Sequence, residues 1–262
     1  MNKQFAEQRL KKITLIIQEN GSVNVDDLAD KFNVSGATIR SDLRKLKTQD
    51  YITRTHGGAI IKENSIFNEG LFDPEYTRRI KRNLEMKRKI GVYAANLINN
   101  NEIIILDDGT TTLQVAKSIP KEKKLTIITN GINICLELSD LMNSEIISIG
   151  GVFRRNDLSI NGKLAEENSR RFHVDKAILG VSGISVKNGI TGPDEAKVEL
   201  KKAMIENCSE LIIVADHSKI ERISLLPICN IEKISILVTD NLTPHKFIEQ
   251  ITNAGVKVLI AE

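Results

Sequence analysis

The sequence predicts two unequal domains: a small helical unit that ends in a β-hairpin, and a larger α/β unit built on a parallel sheet. Three observations lead there. The chain has 262 residues, more than the roughly 150 typical of one domain. Residues 5 to 47 carry three helical patterns in close succession, followed by an alternating stretch around Gly57 and Gly58. From residue 102 onward, short apolar runs alternate with helical stretches.

Composition narrows the class. With 41% hydrophobic and 27% charged residues the chain can bury a sizeable core, which excludes disordered, collagenous and coiled-coil classes. Aromatic content of 4% with no Trp argues against a stacking platform for single-stranded nucleic acid and against an aromatic-lined carbohydrate groove. Cys135, Cys208 and Cys229 are odd in number, far apart and lack CxxC spacing, so they read as reduced, buried thiols; no disulfide framework and no metal site is indicated. The apolar patch Ile13 to Ile17 is interrupted by Thr14 and followed by Gln18 and Glu19, unlike a signal peptide, and no run approaches the roughly 20 apolar residues of a membrane span. A cytoplasmic protein with no membrane partner is expected.

In the first helix Phe5, Ile13, Ile16 and Ile17 recur at helical spacing, and Asn20-Gly21 ends it. Asn24 is placed to cap a two-turn second helix, in which Asp26 and Asp27 favour the positive end and Val25, Leu28, Ala29 and Phe32 form the apolar stripe. Ser35 is placed to cap a third, with Ile39, Leu43 and Leu46 inward and Thr38, Arg40, Ser41, Arg44, Lys45 and Lys47 outward. Residues 51 to 60 then alternate around Gly57-Gly58 as a small hairpin.

Two helices joined by a short turn, with a cationic second helix and a following hairpin, make a winged helix-turn-helix over residues 1–60. Such a unit suits duplex DNA, because the helix fits the major groove while the hairpin meets backbone or minor groove. Residues 1 to 60 hold ten Lys/Arg against seven Asp/Glu. Ser35, Thr38, Arg40, Ser41, Arg44 and Lys45, with Arg54 and His56 in the wing, are the candidate DNA-binding residues. Asp42 is expected to pair with an internal cation, since an unpaired carboxylate would be repelled by phosphates.

Residues 61–75 lack a sustained period and contain Asn, Gly and Pro, so they read as a linker. A helix over about 76 to 98 follows, opening with seven cations against the single acid Glu85; it is either a solvated face or a border with DNA or a partner subunit. Within 76–262 the expected strands are the runs at 102–106, 125–129, 145–149, 176–179, 211–215, 235–239 and 257–260. The helical stretches between them include 111–118, 131–140, 194–207 and 244–253.

In open α/β sheets ligands sit beyond the carboxyl ends of the strands. Here the first run is followed by Asp107 to Thr112 (DDGTTT), the second by Thr129-Asn130-Gly131 and the third by Gly150-Gly151. The fourth is followed by Gly180, Ser182 and Gly183, and the fifth by Ala215 to Lys219 (ADHSK). Glycine followed by hydroxyl residues at a helix start can cradle a phosphate, or can merely cap the helix. Lys219 either supplies the phosphate's counter-charge or is an exposed loop lysine; Glu195 either accepts sugar hydroxyls or favours a helix dipole. His217 reads as a loop residue, and His173 and His245 have no evident partners. The chain contains neither GxxxxGK[ST] nor GxGxxG, so no nucleotide or dinucleotide cofactor is indicated.

Along nearly its whole length the sequence resembles the DeoR/GlpR family of bacterial sugar-metabolism regulators. Arg9, Ile13, Ile17 and, after a gap of 17, Ser35, Thr38, Ile39, Arg40, Ser41, Asp42 and Leu43 match its helix-turn-helix signature. Ser41 alone departs, on the presumed base-reading face. Residues 54–59 (RTHGGA) resemble the family's wing, and DDGTTT, TNG, GG, DEAKVELKKAMI (194–205) and ADHSK follow in its order.

The resemblance implies a carboxy-terminal sensor related in fold to ribose-5-phosphate isomerase and CoA transferases. It implies a repressor of a sugar-metabolism operon that binds double-stranded operator DNA and is released when a phosphorylated sugar binds without turnover. The candidate effector-binding residues are Asp108, Gly109, Thr110, Thr111, Thr112, Thr129, Asn130, Gly131, Gly151, Gly180, Glu195 and Lys219. Helix-turn-helix proteins commonly bind two half-sites, so a homo-oligomer is expected. Two other readings stay open: a working sugar-phosphate isomerase using Asp107, Asp108, Glu195 and Lys219, and an activator or a regulator without a small ligand.

Overall fold

A computed structural model describes residues 9–10, 12–13, 16–17, 20, 22–48, 52–55, 57–61 and 74–262. The chain divides into two compact units, Met1–Phe72 and Asp73–Glu262. Phe5, His56 and residues 62–73 of the expected linker lie outside the described residues.

In the first unit the described residues between 9 and 20 are helical, and Ile13 and Ile17 are buried. Strand β1 (Ser22–Asn24) follows, then α1 (Val25–Phe32) and α2 (Gly36–Thr48), then β2 (Ile52–Arg54) and β3 (Gly58–Ile61). The side chain of Asn24 accepts from the Asp26 amide at 2.9 Å, and that of Ser35 from the Thr38 amide at 3.3 Å, so both helices start where their capping residues predict. Ile13, Ile17, Val25, Leu28, Ile39, Leu43, Leu46, Ile52 and Ala59 form one core.

Strand β1 is not foreseen by the sequence reading. It pairs antiparallel with β3 and turns the hairpin into a three-stranded sheet ordered β1-β3-β2. Gly58 is where the strands meet: a Cβ there would lie 1.9 Å from the Val23 carbonyl oxygen, so any other residue would push β1 away.

The second unit opens with α3 (Pro74–Lys81) and α4 (Leu84–Ala95). The continuous helix expected here is therefore broken. Asn83 sits between the two in the left-handed conformation (φ 54°), and its amide donates to Asp216 at 3.0 Å, a contact 133 residues away that local periodicity does not report.

Then come β4 (Ile103–Leu106), α5 (Thr112–Ser118), β5 (Thr126–Thr129), α6 (Ile132–Glu137) and β6 (Glu145–Ser148). They are followed by the hairpin β7 (Val152–Arg154) and β8 (Ser159–Asn161), and by α7 (Lys163–Ser169) and β9 (Val174–Gly180). After these are β10 (Gly183–Ser185), β11 (Gly189–Gly192), α8 (Glu195–Glu206), β12 (Cys208–Val214), β13 (Leu226–Cys229), β14 (Ile236–Asp240), α9 (His245–Asn253) and β15 (Lys257–Ala261).

The seven apolar runs foreseen from sequence all fall in one seven-stranded sheet ordered β15-β14-β12-β9-β4-β5-β6, and every pairing in it is parallel. Both faces are covered, which is why the strands read as unbroken apolar runs. Ile104 and Leu106 of β4 face Ile90, Val115 and Ile134 on α4, α5 and α6; Ile105 belongs to the other core with Val198, Met204 and Phe247 on α8 and α9. The hairpin β7-β8, helix α7 and the small antiparallel sheet β10-β11-β13 are additions that the sequence reading did not anticipate.

The chain enters this sheet at β4, winds outward through β5 and β6, then returns to β9 on the other side of β4. The order reverses between β4 and β9. A crevice at that switch point is the expected ligand position in this architecture.

Candidate DNA-reading helix and ligand pocket

In the amino-terminal unit α2 presents Ser35, Arg40, Ser41, Arg44 and Lys45 as exposed residues and Thr38 as half-buried. The Ser35 and Thr38 hydroxyls lie 3.0 Å apart, and no acidic residue stands in the first turn of the helix. Asp42 faces the other way: it is 2% exposed, and Arg9 Nε donates to its Oδ2 at 2.6 Å. This is the internal cation expected for Asp42, and it ties the first helix to α2. Arg54 is half-buried in β2, with Nε buried and unpartnered among the described residues.

In the second unit the turns after β4 and β9 are knotted together by Asp107, which is 1% exposed. Its carboxylate accepts from the Gly109 amide (3.1 Å), the Thr112 hydroxyl (2.8 Å), the Gly180 amide (3.1 Å) and the Lys201 ammonium, which also donates to the Gly180 carbonyl. Asp107, Thr112, Gly109 and Gly180 thus hold the switch point in shape with their own polar groups. The Thr129 hydroxyl is likewise used, accepting from the Gly131 amide at 3.0 Å.

Asp108 points into a second network. It accepts from Asn130 Nδ2 at 3.0 Å and from Lys197 Nζ at 2.5 Å; Lys197 also pairs with Asp157 at 2.5 Å. Burial opposes ionisation of Asp108, but Lys197 and Lys201 outweigh it and hold its carboxyl below the usual range. Burial likewise disfavours the charged form of Lys197, yet Asp108 and Asp157 raise it above the ordinary lysine value. Nearby, Arg154 Nη1 lies 2.8 Å from both oxygens of Asp194, which caps α8 by accepting from the Lys197 amide at 3.1 Å.

Three amide oxygens, those of Asn130, Asn133 and Asn161, are buried with no hydrogen-bond partner among the described residues. Asn130 Nδ2 reaches Asp108 and the Ile160 carbonyl; Asn161 Nδ2 reaches the Ser159 hydroxyl, which donates to Asp157; Asn133 Nδ2 donates to the Tyr76 hydroxyl at 2.7 Å. Buried acceptors left empty around a charged network are what a ligand bearing hydroxyl donors would fill. Tyr76, from α3, is 3% exposed, and burial together with the charge of Asp108 pushes its phenol up to about 12.

The sequence-derived ligand residues therefore divide. Asp108, Thr110, Thr111, Asn130 and Gly131 gather after β4 and β5, with Thr110 and Thr111 each 7% exposed. Gly151, with φ 131°, turns the chain into β7. Glu195 is exposed on the first turn of α8 and makes no hydrogen bond or ion pair among the described residues. Lys219 lies in the 3-10 turn His217–Lys219 after β12, half-buried. His217 is a turn residue, its Nδ1 and backbone amide both on the buried Asp240.

Lys197, Lys201, Asp157, Arg154 and Tyr76 were missed. The two lysines stand four apart on one side of α8, behind the Asp194 cap, and that spacing was the available signal. Among the described residues no group of three or more His, Cys, Asp or Glu side chains could hold a metal, and the three cysteines are free.

Comparison with known proteins adds independent findings. The model of the DeoR-like helix-turn-helix domain matches residues 9–65, and that of the DeoR C-terminal sensor domain matches residues 82–241. The chain is 32% identical over 259 residues to the HTH-type transcriptional regulator GolR of Listeria innocua, covering 98% of this chain and 100% of that one. It is 34% identical over 258 residues to the HTH-type transcriptional repressor GlcR of Bacillus subtilis (98% and 97%), and 31% identical over 251 residues to the glycerol-3-phosphate regulon repressor of Escherichia coli (96% and 97%). Among solved structures, ribose 5-phosphate isomerase A of Methanocaldococcus jannaschii aligns at TM-score 0.39 with 16% identity, over 53% of this chain and 55% of that one. No helix is long and apolar enough to cross a membrane among the described residues.

Proposed function

We propose that this chain, which belongs to the DeoR family of helix-turn-helix transcriptional regulators, represses a sugar-metabolism operon and leaves its operator when a phosphorylated sugar fills the crevice between β4 and β9. Duplex DNA is read by α2 through Ser35, Thr38, Arg40, Ser41, Arg44 and Lys45, with Arg54 and His56 of the wing on the backbone. The protein works as a cytoplasmic homo-oligomer, since two half-sites call for two copies.

The observation that carries the effector reading is the set of unfilled amide oxygens on Asn130, Asn133 and Asn161 around the Asp108–Lys197–Asp157 network. Sugar hydroxyls donate to those oxygens and to the carboxylates, and Lys197 donates back. Thr110 and Thr111 lie beside them at the carboxyl end of β4. The relatives named as repressors, one of them of a glycerol-3-phosphate regulon, support a phosphorylated ligand.

Tyr76 supplies the coupling. It is buried against Asn133 on α3, the element that follows directly on residues 62–73 and so connects the sensor to the DNA-binding unit in sequence. A ligand oxygen that accepts from Asn133 Nδ2, beside a hydroxyl that donates to Oδ1, displaces the Tyr76 hydroxyl and frees α3. The energy for release then comes from differential binding to the two positions of that helix.

Catalysis is disfavoured by the same geometry. A general base for isomerisation needs a carboxyl raised toward neutrality, whereas Asp108 is held low by Lys197 and Lys201. The curated relatives named above are regulators.

A thermal-shift panel of sugar phosphates tests the reading. An effector at about 100 times its dissociation constant stabilises the sensor by roughly 2.7 kcal/mol. No shift with any member of a broad panel, or equal shifts with the wild type and Lys197→Met, would remove the pocket from the account.

A further inference from the structure

Resting on the reading of the chain as a DNA-binding regulator, we propose that Arg78, Lys81 and Arg82 of the sensor unit form a second DNA contact, on the phosphate backbone that flanks the bases read by α2.

The surface follows from the helical repeat. Helix α3 turns Tyr76 inward, 3% exposed, with Arg79 and Ile80 half-buried on the same side. Arg78, Lys81 and Arg82 stand three and four positions apart on the other side, and all three are exposed. The Arg82 amide donates to the Arg78 carbonyl at 2.9 Å, so the turn continues through residue 82 and keeps the three side chains together.

None of the three pairs with a carboxylate among the described residues. Glu85, the next acid along the chain, is taken by Arg88 at 2.6 Å. Like charges three and four apart on one helix repel, and an anion laid along that side relieves the repulsion as it binds.

Exposure decides the kind of anion. A metabolite is held by buried groups that close round it, whereas a row of cations along the outer side of a helix fits an extended polyanion. Such a row meets backbone phosphates and reads no bases, so the contact adds affinity without adding sequence preference.

The chain keeps this helix near the DNA. Strand β3 of the wing ends at Ile61 and α3 starts at Pro74. The residues between them can span at most about 45 Å, so the start of α3 is tethered within about thirteen base pairs of the wing. The tether raises the local concentration of flanking backbone seen by the three cations.

The inward side of the same helix holds Tyr76 against Asn133 at 2.7 Å, beside the ligand network. A ligand that frees α3 therefore takes these cations off the backbone as well. Release then begins without a change inside the DNA-reading unit.

The test uses the full chain, with no ligand, and two duplexes that share one operator. One is trimmed to the bases whose substitution lowers affinity, and the other carries about thirteen further base pairs of arbitrary sequence on each side. Wild type should bind the flanked duplex roughly tenfold more tightly near 0.1 M salt, with a steeper fall of log affinity against log salt. Arg78→Gln with Lys81→Gln should lower that slope by about 2 per protomer on the flanked duplex and leave it unchanged on the trimmed one. Arg82 is kept in this variant because its charge also acts on Lys87 and Lys219. Arg78→Lys with Lys81→Arg keeps both charges and should behave as wild type, as should Lys257→Gln, exposed on β15.

A wild-type slope in the double Gln variant on both duplexes would overturn the proposal. So would an equal loss on both, which would place the effect inside the core operator, or a loss of self-association at unchanged slope per protomer, which would assign the face to a second copy. If the slopes change as expected but no sugar phosphate releases the DNA, this inference stands and the proposed function falls. Release by a sugar phosphate, with the double variant keeping its slope, would do the reverse.

Discussion

Arg9 and Asp42 form a largely buried ion pair, Nε to Oδ2 at 2.6 Å, between the first helix and α2, with side-chain exposures of 11% and 3%. Both positions belong to the stretch that carries the family resemblance, yet neither faces outward to read a base. Their part is to set the angle of α2. Asp42→Ala strands the guanidinium and should destabilise the amino-terminal unit by about 3 kcal/mol, read by hydrogen exchange of α2 amides. Arg9→Met with Asp42→Leu should recover much of that loss, and failure to recover it would show that the pair does more than satisfy charge.

Arg40 is exposed on the same helix, on the flank of the stripe where Ile39 and Leu43 are buried. Arg40→Ala should weaken operator binding and reduce the slope of log affinity against log salt by about 1. Mobility-shift titrations at several fixed salt concentrations measure both; unchanged affinity takes Arg40 out of the interface.

Lys197 neutralises two carboxylates, Asp108 and Asp157, at 2.5 Å each. Lys197→Met leaves them facing each other and should weaken effector binding by roughly 100-fold, as a buried charge pair broken on one side implies. Its pH signature has a definite sign. The folded-state carboxyl of Asp108 is depressed, so its contribution to stability is present above the unfolded value near 4 and is lost as the pH falls toward the folded value. Wild type should show this acid loss in chemical denaturation, and Lys197→Met should show it shifted to higher pH.

Tyr76 accepts from Asn133 at 2.7 Å inside the sensor. Tyr76→Phe leaves that amide without its acceptor and should cost about 1–2 kcal/mol in sensor stability. Tyr76→Ala empties the position that the ligand is proposed to take, so effector affinity should rise by roughly tenfold while DNA release becomes less complete. Calorimetry of binding alongside DNA release separates the two effects, and a parallel loss of both would make Tyr76 a ligand contact instead of a coupling residue.

Elements whose residues are fixed by local rules were legible in the sequence. Ile104, Ile105 and Leu106 are apolar on both sides because helices cover both faces of β4, and Asn24 and Ser35 announce their helices through short-range caps. What escaped depends on distant partners. Asn83 breaks a helical pattern because Asp216 holds its amide, and β1 exists because Gly58 lets Val23 approach. Asp108 and Asn130, singled out by their position after strands, meet in one hydrogen bond, whereas Lys197 and Lys201 look like surface lysines of a charged helix until Asp107, Asp108 and Asp157 are placed beside them. Glu195 shows the converse: a plausible acceptor in the sequence, it is turned to solvent one residue after the cap that matters.

The most direct test is release of DNA by ligand. Operator fragments selected from a random pool by the protein itself are bound at fixed salt and titrated with sugar phosphates, using wild type and Lys197→Met. At least one sugar phosphate, and not its unphosphorylated parent, should release wild-type protein, while Lys197→Met should stay bound at the same concentration. Release of both proteins at equal concentration, or no release by any phosphorylated sugar, would contradict the proposed function.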